Sequence, residues 1–287
     1  MAHTELSIGT SFAEADLPAA EALVRAAGWN QVAADWEIFR ALGTVHTARD
    51  GGRVVATATT LPYGHFAWIS MVLVLPEYRR GGLGTQLLKR CVEALDREGR
   101  VPVLDATPAG RPIYQAMGFE DSWGFQRLAR PGTQPVAAGA PGAAALVRPI
   151  TDADWSALCA YDAAAFGADR GALLQRLRGR LPAAELIAER NGRIAGFMLG
   201  RNGRSASQVG PLIAEDDDVA YQLLARALPA IGGAVYLDLA DAKTAIAAWL
   251  TRCGFAAQRP LTRMLYRRSA GFDDTARTFA VVGPEFG

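Results

Sequence analysis

Apolar residues recur along this chain at two spacings. Leu83, Leu87, Leu88, Cys91, Val92 and Leu95 repeat at helical intervals, while Lys89, Arg90, Glu93, Asp96 and Arg97 fill the opposite side. That stripe predicts an amphipathic helix with one buried face, and Gly99 is a natural stop for it. Immediately before it, the almost unbroken apolar run at 69–75 predicts a central strand buried on both faces. The run at 101–106 predicts a second short buried strand, with Pro102 near its start, where a missing N–H is tolerated. Residues 113–118 predict a short helix closed by Gly118, and 219–228 predict another helix further on.

The same order of signals occurs twice. Ala15-Asp16-Leu17 opens one helical region and Ala153-Asp154-Trp155 opens another. Gly52-Arg53-Val54-Val55 and Gly192-Arg193-Ile194-Ala195 each leave a hairpin turn into a strand. Gly118-Phe119 and Gly254-Phe255 each end a helix. The offsets are 138, 140 and 136 residues, close enough to imply a duplicated domain. Residues 131–145 are rich in Pro, Gly and Ala without periodicity, which is linker composition. The expected organisation is a first domain over 1–130, a linker over 131–145 and a second domain over 146–287. Each domain reads strand, one or two helices, three strands, helix, strand, helix, strand, an α/β (α+β) arrangement centred on a sheet.

The turn between the strand at 69–75 and its helix carries the candidate chemistry. It reads Glu77-Tyr78-Arg79-Arg80-Gly81-Gly82-Leu83-Gly84-Thr85. Glycines allow close backbone approach to a phosphate, and the first helical N–H groups have no partner within the helix. The helix dipole and the forked donors of two arginines favour the same anion. A P-loop is excluded, because Gly84 is followed by Thr85 and Gln86 rather than by lysine. A dinucleotide fingerprint is excluded, because the third glycine position is Leu87. The plainer alternative is a glycine-rich turn with solvated arginines.

Arg79-x-x-Gly82-x-Gly84 after a Val-rich strand resembles the acyl-CoA pyrophosphate loop of the GCN5-related N-acetyltransferase (GNAT) superfamily. The resemblance extends over nearly the whole chain and implies two tandem GNAT-like domains, each a mixed, mostly antiparallel central sheet flanked by helices. It implies acetyl-CoA as cosubstrate, with no metal. Val72, Leu73 and Val74 would offer main-chain groups to the pantetheine, and Arg79, Arg80, Gly81, Gly82, Leu83, Gly84 and Thr85 would hold the pyrophosphate. It also implies a general acid, Tyr114, that protonates the departing thiolate; an ordinary core tyrosine is the alternative. For the base that deprotonates the amine, Asp105 and His65 are candidates, the latter for its pKa range. Trp29 and Asn30, after a glycine break, would flank the acceptor, or else enter the core and cap a helix. The expected activity is N-acetyl transfer to a primary amine of a small molecule, amino acid or peptide. A non-catalytic CoA-responsive binding or scaffold protein is the other reading.

The second copy departs from this pattern. At an offset of 136, Leu250 stands where Tyr114 would be, and Glu215, Asp218 and Ala220 replace Arg79, Gly82 and Gly84. Carboxylates repel a pyrophosphate, but Asp216 to Asp218 suit the first turn of a helix. One CoA site per chain is therefore expected, with a degenerate second domain. Asp169 and Arg170 would reach an acceptor or pair with each other.

Composition narrows the partners. Of 287 residues half are hydrophobic, 21% are charged and the net charge is +1, so large cores are expected and nucleic acid is not the expected partner. No run is long enough to span a bilayer, and the first residues lack signal-peptide character. Three scattered cysteines, Cys91, Cys159 and Cys253, suit free thiols in a reducing cytoplasm. The three histidines, His3, His46 and His65, have no paired metal spacing. Two fused copies suit a monomer acting as an internal pseudo-dimer, or a homodimer.

Overall fold

The computed structural model describes residues 6–132 and 145–287, so most of the expected linker, and His3, lie outside the described residues. The chain forms two compact units. One ends at Leu104 and takes in Phe286; the other consists of Asp105–Glu285 and Gly287.

In the first unit, β1 (Ser7–Gly9) is followed by α1 (Leu17–Ala27), α2 (Ala33–Leu42), β2 (Thr44–Asp50), β3 (Arg53–Tyr63), β4 (Phe66–Val74), α3 (Leu83–Arg97) and β5 (Val101–Ala106). The strands lie in chain order; β1 to β4 are antiparallel neighbours, and β5 runs parallel to β4. β3 is buried at every position from Val54 to Leu61, as a strand covered on both faces must be. The six apolar positions read from the sequence of α3 are its six buried residues. The ring of Phe286 stacks on Phe39 at 5.0 Å, and its carbonyl accepts a hydrogen bond from the Tyr63 hydroxyl at 2.8 Å.

The second unit opens with α4 (Arg111–Ala116) and β6 (Phe119–Arg130). It continues with β7 (Leu146–Pro149), α5 (Trp155–Phe166), α6 (Gly171–Leu177), β8 (Leu186–Arg190), β9 (Arg193–Arg201), β10 (Ser207–Ala214), α7 (Asp217–Ala227), β11 (Val235–Ala240), α8 (Thr244–Arg252), β12 (Ala256–Tyr266) and β13 (Thr278–Ala280). Its strand order is β12-β6-β11-β13-β10-β9-β8-β7. The order of elements expected for each repeat is present, with β13 as an addition. The compact units, however, do not divide at residue 130. β6 is hydrogen-bonded along one edge to β12 and along the other to β11, both from the second repeat. Those two ladders draw residues 105–130 into the second unit.

Ion pairs are buried inside this unit. Arg127 grips Asp238 through bonds of 2.8 and 2.7 Å, and Arg170 grips Asp162 at 2.8 and 2.9 Å. Arg170 also donates to the Gly287 carbonyl, while Asp169 accepts from the Gly171 N–H. The expected roles of Asp169 and Arg170, as acceptor contacts or as a mutual pair, are thus replaced by structural ones. Burial selects for Arg170 a partner eight residues back, on α5.

Candidate active site

β4 leads to the candidate phosphate loop through a bulge. Thr57 faces Leu73 and Thr59 faces Ser70, so Met71 and Val72 together oppose Ala58, and Met71 has a φ of 49°. A bulge bends its strand, and the ladder between β4 and β5 stops at Trp68 and Val103. Val72 and Val74 are half-buried beyond that point, while Leu73 is buried. A short turn at Pro76–Tyr78 follows, fixed to the β2–β3 hairpin by the Tyr78 hydroxyl, which donates to Asp50 at 2.6 Å. Arg80 has a φ of 69°, a conformation that side-chain-bearing residues seldom adopt and that recurs in ligand clamps.

Gly82 then caps α3. Its φ of 75° needs glycine, and no side chain caps the helix. The four leading N–H groups therefore lack a side-chain partner, at the positive end of a 15-residue helix. Nothing lies within 4 Å of where a Gly82 Cβ would sit, whereas a Cβ on Gly84 would touch Val74 and Val72 at 3.5 and 3.7 Å. Arg79 Nε donates to the Val74 carbonyl at 3.0 Å and Nη2 to the Ala26 carbonyl at 3.4 Å, so this arginine ties the loop to the end of α1. Arg80 is exposed and has no ion-pair partner among the described residues.

The equivalent turn of the second repeat is built in the opposite sense. α7 is capped by Asp216, whose carboxylate accepts from the Val219 N–H at 3.0 Å. The helix starts therefore set Asp216, rather than Asp218, opposite Gly82. Arg190 binds the same carboxylate at 2.7 Å; this bond, opposed by partial desolvation, holds the Asp216 pKa below its ordinary value. The strands behind the turn also differ. β10 and β11 pair in parallel from Ser207 and Val235 to Val209 and Leu237, then separate, and β13 occupies the gap. Ala280 pairs with both Leu212 and Leu239, and Thr278 pairs with Ile213. The Val281 N–H and the Asp238 carbonyl bond as well, at 3.2 Å.

Tyr114 lies on α4, a half-buried ring 6.1 Å from that of Phe119. A Cβ on Gly110 would come within 2.9 Å of the tyrosine ring, so that glycine makes room for it. Its hydroxyl has no hydrogen-bond partner among the described residues, and desolvation raises its pKa. It is therefore a protonated donor at neutral pH. Leu250, its counterpart in the second repeat, is buried in the core.

Family models for the acetyltransferase (GNAT) domain match residues 41–121 and, separately, residues 158–280, one in each repeat. The chain is a tandem GNAT protein. It is 26% identical over 219 residues to the uncharacterized N-acetyltransferase YitH of Bacillus subtilis, covering 76% of each chain. A crystal structure of a putative acetyltransferase from Pyrococcus horikoshii matches 98% of this chain and 96% of its own, with a TM-score of 0.80 at 20% identity. A tandem GNAT protein from the clavulanic acid biosynthesis pathway matches 94% of this chain and 100% of its own, with a TM-score of 0.66 at 16% identity. Membership of the GNAT family implies acyl transfer from an acyl-CoA to an amine acceptor. Among the described residues no helix is long and apolar enough to cross a membrane.

The two base candidates fare differently within this GNAT chain. The side chain of Asp105 is fully buried, and both its oxygens accept from Arg263, at 3.0 and 3.1 Å. Desolvation pushes its pKa up to about 6 against the pull of Arg263. Arg263 also holds Asp273 at 2.7 Å. An enclosed carboxylate with both oxygens engaged has no access to an amine, so Asp105 is a structural group and not the base. His65 is exposed in the turn before β4, with the nine residues of that strand, roughly 25–30 Å of extended chain, between it and the glycine loop. Trp29 is half-buried, following the left-handed Gly28 that ends α1, and Asn30 is buried. Asn30 is not a cap: Val32 occupies that position, with Asp35 accepting from its N–H at 2.9 Å.

Sequence reasoning missed two parts of this arrangement. One is the Tyr78–Asp50 anchor, for which a tyrosine inside the loop was the available signal. The other is β13, whose three residues are too short to carry a period.

Proposed function

We propose that this chain transfers an acyl group, most simply acetyl, from acyl-CoA to a primary amine of a small molecule, amino acid or peptide, at one site formed by the first repeat. The reading rests on the open N-terminus of α3. Its unsatisfied N–H groups, the exposed Arg80 guanidinium and the absence of a side chain at Gly82 fit a pyrophosphate in shape, charge and donor count. Gly81, Gly82, Leu83, Gly84 and Thr85 would hold that group through the main chain. Arg79 keeps the loop in place through Val74 and Ala26, and the splayed main chain at Val72, Leu73 and Val74 would meet the pantetheine amides.

Acyl-CoA supplies the activated thioester. As the amine nitrogen bonds to the thioester carbonyl and the C–S bond breaks, Tyr114 Oη–H gives its proton to the leaving sulfur, and the proton the amine loses returns to the tyrosinate through water; a phenol kept neutral by desolvation and free of other acceptors suits that task. Trp29 and Asn30 would border the amine. Isothermal titration of the full chain with CoA should give one site per chain. Replacing Tyr114 with phenylalanine should lower kcat by about 100-fold in a thiol-release assay on an amine panel, with CoA affinity unchanged. Equal turnover in the variant would remove Tyr114 from the mechanism, and a chain that takes up no CoA would remove the whole reading.

A further inference from the structure

A cavity of about 300 Å³ lies in the first unit between the later turns of α3 and the β1–β2 edge of the sheet. That volume is at the lower end of ligand pockets. Arg90 and Arg97, which border it, lie about 10 and 20 Å along the helix axis from the glycine turn at Leu83, so this is not the phosphate loop.

Its lining is polar and incompletely satisfied. His46 and Thr44 alternate on one face of β2, and Thr60 pairs directly opposite Thr44 on β3. His46 is 6% exposed, and its Nε2 is buried without any hydrogen-bond partner. From the helix, Arg90, Glu93 and Arg97 present charges at intervals of three and four residues. Neither the Arg90 guanidinium nor the Glu93 carboxylate has an ion pair among the described residues. Desolvation first, and the nearby Arg90 charge second, lower the His46 pKa and keep the imidazole neutral. The cavity thus offers a cation and an unpartnered nitrogen of a neutral ring beside an unpaired carboxylate.

We propose that this cavity binds a small zwitterionic amino acid, its carboxylate against Arg90 and His46 Nε2 and its ammonium against Glu93. A ligand with only one of the two charges would leave either Arg90 or Glu93 unmatched, and a buried imidazole nitrogen gains most from a charged acceptor.

The test follows the His46 ring by NMR on the full chain with labelled imidazoles. There are three histidines, and His46→Gln identifies the resonance. L-Alanine is titrated against its two halves, propionate and ethylammonium. The expected result is a saturable shift of the His46 signal alone with alanine, with each half binding at least about tenfold more weakly. Arg90→Ala should weaken alanine by a similar factor; Glu93→Gln should weaken alanine and leave propionate unchanged. Both side chains are exposed on α3, and unchanged thermal unfolding confirms that the variants fold. No saturable His46 shift with alanine, propionate binding as tightly as alanine, or full alanine affinity in either variant would overturn the proposal.

Discussion

The strand-to-helix turns after β4 and after β10 occupy the same place in their repeats and differ in what satisfies the helix that follows. After β4, Gly82 leaves the N-terminus of α3 bare and the strand beyond Trp68 without a partner on its β5 side. After β10, Asp216 caps α7 and β13 fills the space between the parting strands. A splayed pair of strands and an open helix end together leave backbone groups that need partners. One repeat leaves them open. The other supplies them from its own chain, a carboxylate at the start of the helix and a strand in the gap between the parting strands. The closed turn of the second repeat thus differs from the first by a gain of internal contacts as well as by its residue types.

The largest test of that contrast concerns the strand that fills the second cleft. Phe279 is 1% exposed in the core of the second unit. If β13 completes the fold, Phe279→Ala should cost about 3–5 kcal/mol of unfolding free energy, as deletion of a buried ring does, while CoA titration still counts one site. A loss under about 1 kcal/mol would mean that β13 is a dispensable edge, and the contrast would rest on the cap alone.

Next in size is an attempt to make the first turn resemble the second. Gly82→Asp puts a carboxylate at the start of α3, where the proposed pyrophosphate would lie. CoA affinity should fall by about 30-fold, equivalent to about 2 kcal/mol, as measured by isothermal titration. Unchanged affinity would place the ligand elsewhere and dissolve the comparison.

Much of this contrast was legible in residue order. The stripe of α3 named its buried face without error, because an amphipathic helix on a sheet is decided locally. The glycines and arginines of one turn and the acids of the other are also local signals, and the capping by Asp216 was readable from them. The domain boundary was not. Residue 130 ends a repeat in the sequence, but β6 finds both its partners more than a hundred residues later, between Val235 and Ala240 and between Ala256 and Tyr266. Pairing across that distance leaves no mark on the strand itself. Asp105 failed as a base for the same reason: its environment is set by Arg263, 158 residues away. The offset of 136 carried the end of α4 onto that of α8 yet placed the start of α7 two residues late, since α3 begins at Leu83 and α7 at Asp217.

The smallest expected effect isolates the cap. Asp216→Ala removes the acceptor of the Val219 N–H and the partner of Arg190. The carboxylate is partly solvent-exposed, so the loss should be about 1 kcal/mol, the usual worth of an N-cap. The pH dependence has a definite sign. The folded-state pKa of Asp216 lies below its ordinary value, chiefly through the bond from Arg190. Its contribution is therefore present above the unfolded-state pKa of about 4 and fades as pH falls through the lower folded-state value. Urea unfolding of wild type and variant should differ at pH 7 and converge on acidification. CoA titration of the variant should still give one site, because removing one carboxylate leaves β13 in the cleft. A second site would show instead that the cap alone excludes the ligand, and β13 would then be a consequence of the closed turn rather than part of its cause.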